Sequence, residues 1–260
     1  MNSAEMLEDV ALLARQAGAV VMGIYATDFT VRGKGDASPV TEADEQAEAV
    51  IQAGLAALTP DIPVVAEEAV ANGCAPDVSG GRFWLVDPLD GTKEFVGRNG
   101  EFTVNIALIE HGVPVLGVVL APAIGGPLGR IFAGARGLGA WVEDAQGRRT
   151  IHSREVPAEG LTVMASRSHG DTSALNVFLV GRKVAQINHA GSSLKLCMLA
   201  EGVADFYPRH GRTMEWDIAA GHAVLAAAGG CVMTLDDQLP LAYGKPGFEN
   251  PYFFAIGRAA

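Results

Sequence analysis

The stretch Trp84 to Phe95, WLVDPLDGTKEF, ends an apolar run with two carboxylates, Asp87 and Asp90, set around a proline. Gly91, Thr92 and Lys93 follow directly. Hard oxygens gathered at one point suit Mg2+, which takes carboxylates, carbonyls and water in octahedral geometry. Pro88 stiffens the turn so that Asp90 returns toward Asp87, and the Leu89 carbonyl is a further oxygen donor. Gly91 allows close backbone approach, and Thr92 and Lys93 open a short helical stretch whose unpaired N–H groups suit a phosphate. Other acids also stand at element ends: Glu67 and Glu68 after IPVVA, Asp44 just inside a helix opening at Thr41, and Asp217 at the head of EWDIAAGHAVLAAAGG. Metal-bridging acids beside a phosphate cradle are the parts of a phosphoryl hydrolase.

Each acid taken alone has a plainer reading. Asp-Pro and Asp-Gly are common turn dipeptides. Asp44, three residues after Thr41, fits a variant capping box, and Asp217 suits the first turn of a helix through its dipole. Glu67 and Glu68 read equally as an exposed loop pair. The plainer readings leave unexplained why all these acids fall at element ends beside a Gly-Thr helix start, and the joint pattern favours a metal site.

The elements that must position these residues fall into two halves. A helical rhythm runs from about residue 4 to 25, with Leu7, Val10, Ala14, Ala17, Val21 and Ile24 on one face. The loop VRGKGDASPV follows, then a helix from Thr41 to about Leu58, closed by Pro60. IPVVA and GRFWLV read as strands that deliver Glu67 and Asp87. FTVNIALI with VPVLGVVLAP forms one hairpin, and GRIFAGARGLGAWVED another. After about residue 150 the pattern alternates: LTVMAS, KVAQIN, VADFYP, CVMTLD and YFFAIG as strands, TSALNVFLV, SSLKLCMLAEG and EWDIAAGHAVLAAAGG as helices.

Composition narrows the partners. Thirty acids against 19 bases give a net charge of −11, which disfavours polymeric nucleic acid as a ligand. A small anion remains open wherever a metal ion inverts the local charge. No transmembrane segment is expected, because the longest apolar stretch, around Val113 to Ala123, is broken by Pro114, Gly117 and Pro122. MNSAEMLEDV has no basic leader and does not read as a signal peptide. Three cysteines without metal-ligand spacing point to a reducing cytoplasm. Peripheral association with a membrane stays open.

VVAEEA, WLVDPLDGT and EWDIAAGHAVLAAAGG together resemble the inositol monophosphatase superfamily of Mg2+-dependent, lithium-sensitive phosphatases. Within it, KGDASPVTEAD, DPLDGTKEFVGRNGEFTVNIALI, ASRSH and GSSLKLCMLAEGVADFYPR look like the CysQ-type branch, the 3′(2′),5′-bisphosphate nucleotidases. The likeness covers nearly the whole chain. It implies an α+β, α/β five-layer αβαβα sandwich; an N-terminal α+β domain over residues 1–150 carries metal-binding acids, and a C-terminal α/β domain over 151–260 carries the substrate-recognition residues and the last metal ligand. It also implies that Glu67, Asp87, Asp90, Asp217 and the Leu89 carbonyl hold two or three Mg2+ ions. Asp44 would pair with Thr92 to orient and deprotonate the attacking water, and Glu68 would stand behind the ligands. The N–H groups of Gly91 and Thr92 would hold the phosphate being removed. His169, Ser192, Lys195 and Arg209 would bind the second phosphate and the adenine that inositol phosphate lacks.

The reaction so implied removes the 3′-phosphate of adenosine 3′,5′-bisphosphate, giving AMP and phosphate, with the sulfated nucleotide as a further substrate. The alternatives are an inositol-1-phosphate or sugar (bis)phosphate phosphatase, and a binding protein that shares the fold. A monomer or homodimer is expected.

Overall fold

A computed structural model of the protein describes residues 2–33, 39–167 and 179–258. His169 and almost all of the helix expected over 172–180 lie outside them, as does much of KGDASPV. The first two helices are α1 (Ser3–Tyr25) and α2 (Glu42–Leu58). Asn2 and Glu5 close a capping box on α1, and its stripe of Leu7, Val10, Ala14, Ala17 and Val21 is buried. The buried face of α2 carries Ala43, Ala47, Ile51 and Leu55, together with two acids, Asp44 and Glu48. Acids on a buried stripe must have partners, and they point to the site.

A seven-stranded sheet follows in the order β3 (Val64–Ala66), β4 (Arg82–Asp90), β5 (Thr103–Glu110), β6 (Val113–Ala121), β7 (Arg130–Ala135), β8 (Gly139–Asp144) and β9 (Gly147–Ile151). It is antiparallel except for the parallel β3–β4 pair. VRGKGDASPV, expected as a loop, contributes two short antiparallel strands, β1 (Val31–Gly33) and β2 (Pro39–Thr41). A five-stranded sheet takes the order β11 (Val184–Ala190), β10 (Leu161–Ser166), β12 (Phe206–Arg209), β14 (Phe253–Ile256) and β13 (Cys231–Thr234). β11, β10 and β12 run parallel, and β14 is antiparallel to its two neighbours.

Two short helices, α3 (Glu67–Ala71) and α4 (Thr92–Val96), follow β3 and β4, while α5 (Leu194–Ala200) and α6 (Glu215–Ala227) lie in the second half. α1 and α2 cover one face of the seven-stranded sheet; α6 covers the other and also meets the five-stranded sheet at β13. Among the described residues the layers run helix, sheet, helix, sheet, in keeping with the α+β sandwich expected. The strands alternate as a two-sided buried sheet requires: Trp84 and Val86 of β4 enter the core under α1 and α2, and Phe83 and Leu85 enter the core shared with α6.

Glycine sets the height of α6 above the sheet. A Cβ on Gly117 of β6 would lie 2.4 Å from the Ala220 carbonyl oxygen and 2.7 Å from Ala223 Cβ. On Gly134 of β7 it would lie 2.9 Å from Ala227 Cβ. The Ala-rich face of α6 therefore seats directly on backbone, and this fixes where Asp217 in its first turn can reach. Gly117→Val is expected to destabilise the protein by about 3 kcal/mol, seen as a lower urea midpoint at unchanged slope.

Candidate metal centre and substrate cleft

The local geometry of DPLDG differs from a simple turn. β4 does not end before Asp87; it continues to Asp90 through a bulge. Asp87 pairs with Asn105 and Asp90 with Thr103, so one extra residue of β4 is accommodated between them. On a regular strand, residues three apart face opposite sides. The bulge rotates the chain so that both carboxylates border one cavity. Asp87 Oδ1 accepts the Leu89 N–H at 3.0 Å, bracing the segment around Pro88. The Leu89 side chain is buried in the core beneath α1 and α2, which leaves its backbone at the cavity wall.

That cavity, of about 650 Å3, opens between the two sheets. Glu67, Asp87 and Asp217 each offer a carboxylate oxygen within 4.8 Å of the others. Each arrives by a different route. Glu67 is the first residue of α3, a helix not foreseen in the sequence. Glu48 of α2 fixes its start by accepting the Glu68 N–H at 2.8 Å and the Ala69 N–H at 2.9 Å, which answers for one of the two acids on the α2 stripe. Glu68 is buried and does not line the cavity. Asp217 uses Oδ2 to accept the Met214 N–H at 2.9 Å, so the helix-start reading holds alongside membership of the acid cluster.

Asp90 stands beside these three. Its Oδ2 accepts the Ser193 N–H at 2.7 Å and the Asn105 Nδ2 at 3.3 Å. Burial pushes the Asp90 carboxyl up to about 6 against the opposing pull of Lys195 and the Ser193 N–H, and the Glu67 charge adds to the rise. Burial likewise pushes Asp217 up, with the charges of Asp90 and Glu67 acting in the same direction. Both carboxylates open onto the cavity, and for each the cost of burial outweighs the opposing pull of the basic side chain that faces it, Lys195 for Asp90 and Arg209 for Asp217. Such a set is poorly stable as anions and fits a divalent cation, which would replace like-charge repulsion by attraction.

Asp44 and Thr92 meet across the same turn. Thr92 Oγ1 lies 3.4 Å from Asp44 Oδ1 and 3.4 Å from the Leu89 carbonyl oxygen. Asp44 is buried, and its Oδ2 accepts both the N–H and the hydroxyl of Thr41 at 2.8 Å each. The capping box is therefore present too, and it locks the carboxylate with Oδ1 toward Thr92. Gly91, at φ +90, has the left-handed backbone that favours glycine, and its N–H and that of Thr92 begin α4 at the cavity edge.

The second half supplies the opposite wall. Ser192, Lys195, Tyr207 and Arg209 all line the cavity. Lys195 is buried; its ammonium donates to the Ser192 carbonyl and, at 3.4 Å, to that of Ala190. Burial draws the Lys195 ammonium down to about 8, against the raising effect of Asp90. Arg209 donates from Nε to Thr213 Oγ1 at 2.9 Å and from Nη1 to Ser166 Oγ at 3.2 Å, which fixes the plane of its guanidinium. The acids and the bases thus occupy one cleft. Glu48, Asn105 and Ser193 escaped the sequence reading. Asn105, a polar residue inside the apolar run FTVNIALI, and Glu48, one turn beyond Asp44, were the available signals.

The geometry agrees with known proteins. The model of the inositol monophosphatase family matches residues 2–252. The 3′(2′),5′-bisphosphate nucleotidase CysQ of Escherichia coli O157:H7 is 49% identical over 95% of this chain and 98% of its own length. That of Buchnera aphidicola is 43% identical over 88% of this chain and 84% of its own. Among solved structures, CysQ from Bacteroides thetaiotaomicron superposes with a TM-score of 0.77 at 34% identity, covering 96% of each chain. A Thermotoga maritima inositol monophosphatase superposes with a TM-score of 0.77 at 26% identity, over 97% of this chain and 92% of its own. Sequence, bulged turn and two-sheet architecture converge, and the chain belongs to the inositol monophosphatase family.

Proposed function

We propose that this enzyme is a 3′(2′),5′-bisphosphate nucleotidase that hydrolyses the 3′-phosphate of adenosine 3′,5′-bisphosphate to AMP and phosphate. One observation carries the reading: a carboxylate cluster and a basic wall of Lys195 and Arg209 face each other across a single cleft. A substrate with two phosphates uses both, and the relatives that match along most of this chain bear the corresponding name.

Glu67, Asp87, Asp90, Asp217 and the Leu89 carbonyl are the donors that would hold two or three Mg2+ ions. Bound Mg2+ would supply the positive charge that a phosphate monoester needs before water can approach it and the ester oxygen can leave. Asp44, braced by Thr41, holds Thr92 Oγ1 in place, and together they orient the attacking water and receive its proton. The N–H groups of Gly91 and Thr92 bind the phosphoryl oxygens. Ser192, Lys195 and Arg209 take the 5′-phosphate and the nucleoside; His169, outside the described residues, belongs to the same proposed set. Water attacks phosphorus as the P–O bond to the 3′-oxygen breaks; the attacking water's proton passes to Asp44, and the departing oxygen takes a proton from solvent water to become the ribose hydroxyl.

Arg209→Met tests the division of labour. It is expected to raise KM for adenosine 3′,5′-bisphosphate about 30-fold, roughly 2 kcal/mol for a lost charge-assisted contact, with kcat nearly unchanged. An equal fall in kcat, with KM unmoved, would place Arg209 in the fold rather than against the substrate.

A further inference from the structure

The segment Gly191 to Ser193, which presents Ser192, is held from both sides by residues of the first half. On one side Glu101 Oε2 accepts the Gly191 N–H at 2.8 Å, and the same carboxylate receives Nε and Nη2 of Arg167 at 2.7 Å each. Arg167 also donates to the His189 carbonyl at 3.1 Å. On the other side the Ser193 N–H is taken by Asp90 at 2.7 Å, and Ser193 Oγ donates to Asn105 Oδ1 at 2.7 Å with Thr103 Oγ1 3.0 Å away. A Cβ on Gly191 would come within 2.7 Å of the Glu101 carbonyl oxygen and 2.8 Å of Glu94 Cγ, so the two surfaces are in direct contact.

Between these clamps Ser192 adopts φ +45, a left-handed conformation that a non-glycine residue holds only where its surroundings over-determine it. Its Oγ is buried without a hydrogen-bond partner among the described residues, at the cavity wall. Its carbonyl receives the Lys195 ammonium. The conformation of one strained residue thus sets the position of both a hydroxyl and a cation that line the cleft. Glu101 does not itself line the cavity.

We propose that Glu101, with Arg167 behind it, is a specificity-determining positioning residue: it pins Gly191 so that Ser192 and Lys195 present their polar groups to the nucleotide. This rests on the nucleotide reading above. It assigns part of the specificity to Glu101, in the loop NGEF beside the metal-binding turn, whose side chain holds Gly191 and Arg167 from outside the cavity lining.

Two substitutions separate positioning from mere structure. Glu101→Ala removes the acceptor of the Gly191 N–H; Glu101→Gln keeps an oxygen there and loses only the Arg167 ion pair. In Glu101→Ala, amide exchange of residues 189–195, measured without ligand, is expected to quicken about tenfold. KM for adenosine 3′,5′-bisphosphate is expected to rise about tenfold, with kcat within about threefold and Mg2+ affinity by calorimetry unchanged. Glu101→Gln should recover most of both effects. Unchanged KM in an active Glu101→Ala enzyme overturns the proposal, as does a joint fall in kcat, Mg2+ affinity and melting temperature. Should the unsubstituted protein leave the nucleotide intact, the nucleotide reading fails by itself. The exchange rates then decide the clamp: faster exchange in Glu101→Ala upholds it, and unchanged exchange refutes it.

Discussion

Asp217→Asn is expected to lower phosphate release from adenosine 3′,5′-bisphosphate by about a thousandfold, roughly 4 kcal/mol of transition-state stabilisation. The size follows from geometry: Asp217 shares a 4.8 Å cluster with Glu67 and Asp87, and one missing anion changes how a divalent ion is held. The same substitution should affect stability in the opposite sense when metal is withheld. Asp217 has its carboxyl raised by burial and by the charges of Asp90 and Glu67, so its anion strains the metal-free fold. Asparagine keeps an oxygen to accept the Met214 N–H and removes the charge. In chelator the variant should therefore melt no lower than the natural protein. In Mg2+ the natural protein should gain several degrees, through binding to the folded state alone, while the variant gains almost nothing. Thermal unfolding with and without Mg2+ reads both, and a variant that melts lower in chelator would show that Asp217 is a structural acid.

The second large effect concerns the pair across the turn. Thr92→Val, nearly isosteric, should reduce kcat about a hundredfold with KM and Mg2+ binding little changed. The hydroxyl lies 3.4 Å from Asp44 Oδ1 and 3.4 Å from the Leu89 oxygen, where valine has only a methyl group. Asp44→Asn should cost at least as much, because it removes the group proposed to receive the proton while Thr41 still braces the side chain. In the proposed mechanism the two residues act as one unit, so the double variant should be scarcely worse than Asp44→Asn alone. Additive losses in steady-state kcat would show two independent roles.

Much of this site is legible in the amino-acid sequence. The apolar run ending at Asp87, the acids placed at element ends and the Ala-rich helix headed by Asp217 are local patterns, and local patterns survive folding. What stays hidden depends on register and on distance along the chain. β4 runs on to Asp90 only because β5 pairs with it through a bulge, and DPLDG alone reads as a turn. α3 exists because Glu48, some twenty residues earlier, caps its N-terminus. The β1–β2 pair, three residues a strand, is too short to assert itself over turn-rich composition, and β9 is an edge strand, GRRTI, that buries only Ile151 and so lacks apolar alternation. The hydrogen bonds joining Asp90, Asn105 and Ser193 link residues up to 103 positions apart, and no spacing rule reaches that far. Lys195 is a different case. Its place at the cleft is as the spacing from Ser192 suggests, while its ammonium also ties the loop to itself through backbone carbonyls.

The most direct measurement is phosphate release from adenosine 3′,5′-bisphosphate and from inositol 1-phosphate, run in parallel with Mg2+ and with chelator. Mg2+-dependent release that strongly favours the nucleotide is the expected result, since in the proposed reading only that substrate engages both the carboxylate cluster and the basic wall. Preference for inositol 1-phosphate would contradict the role given to Ser192, Lys195 and Arg209, and release that persists in chelator would contradict the metal centre itself.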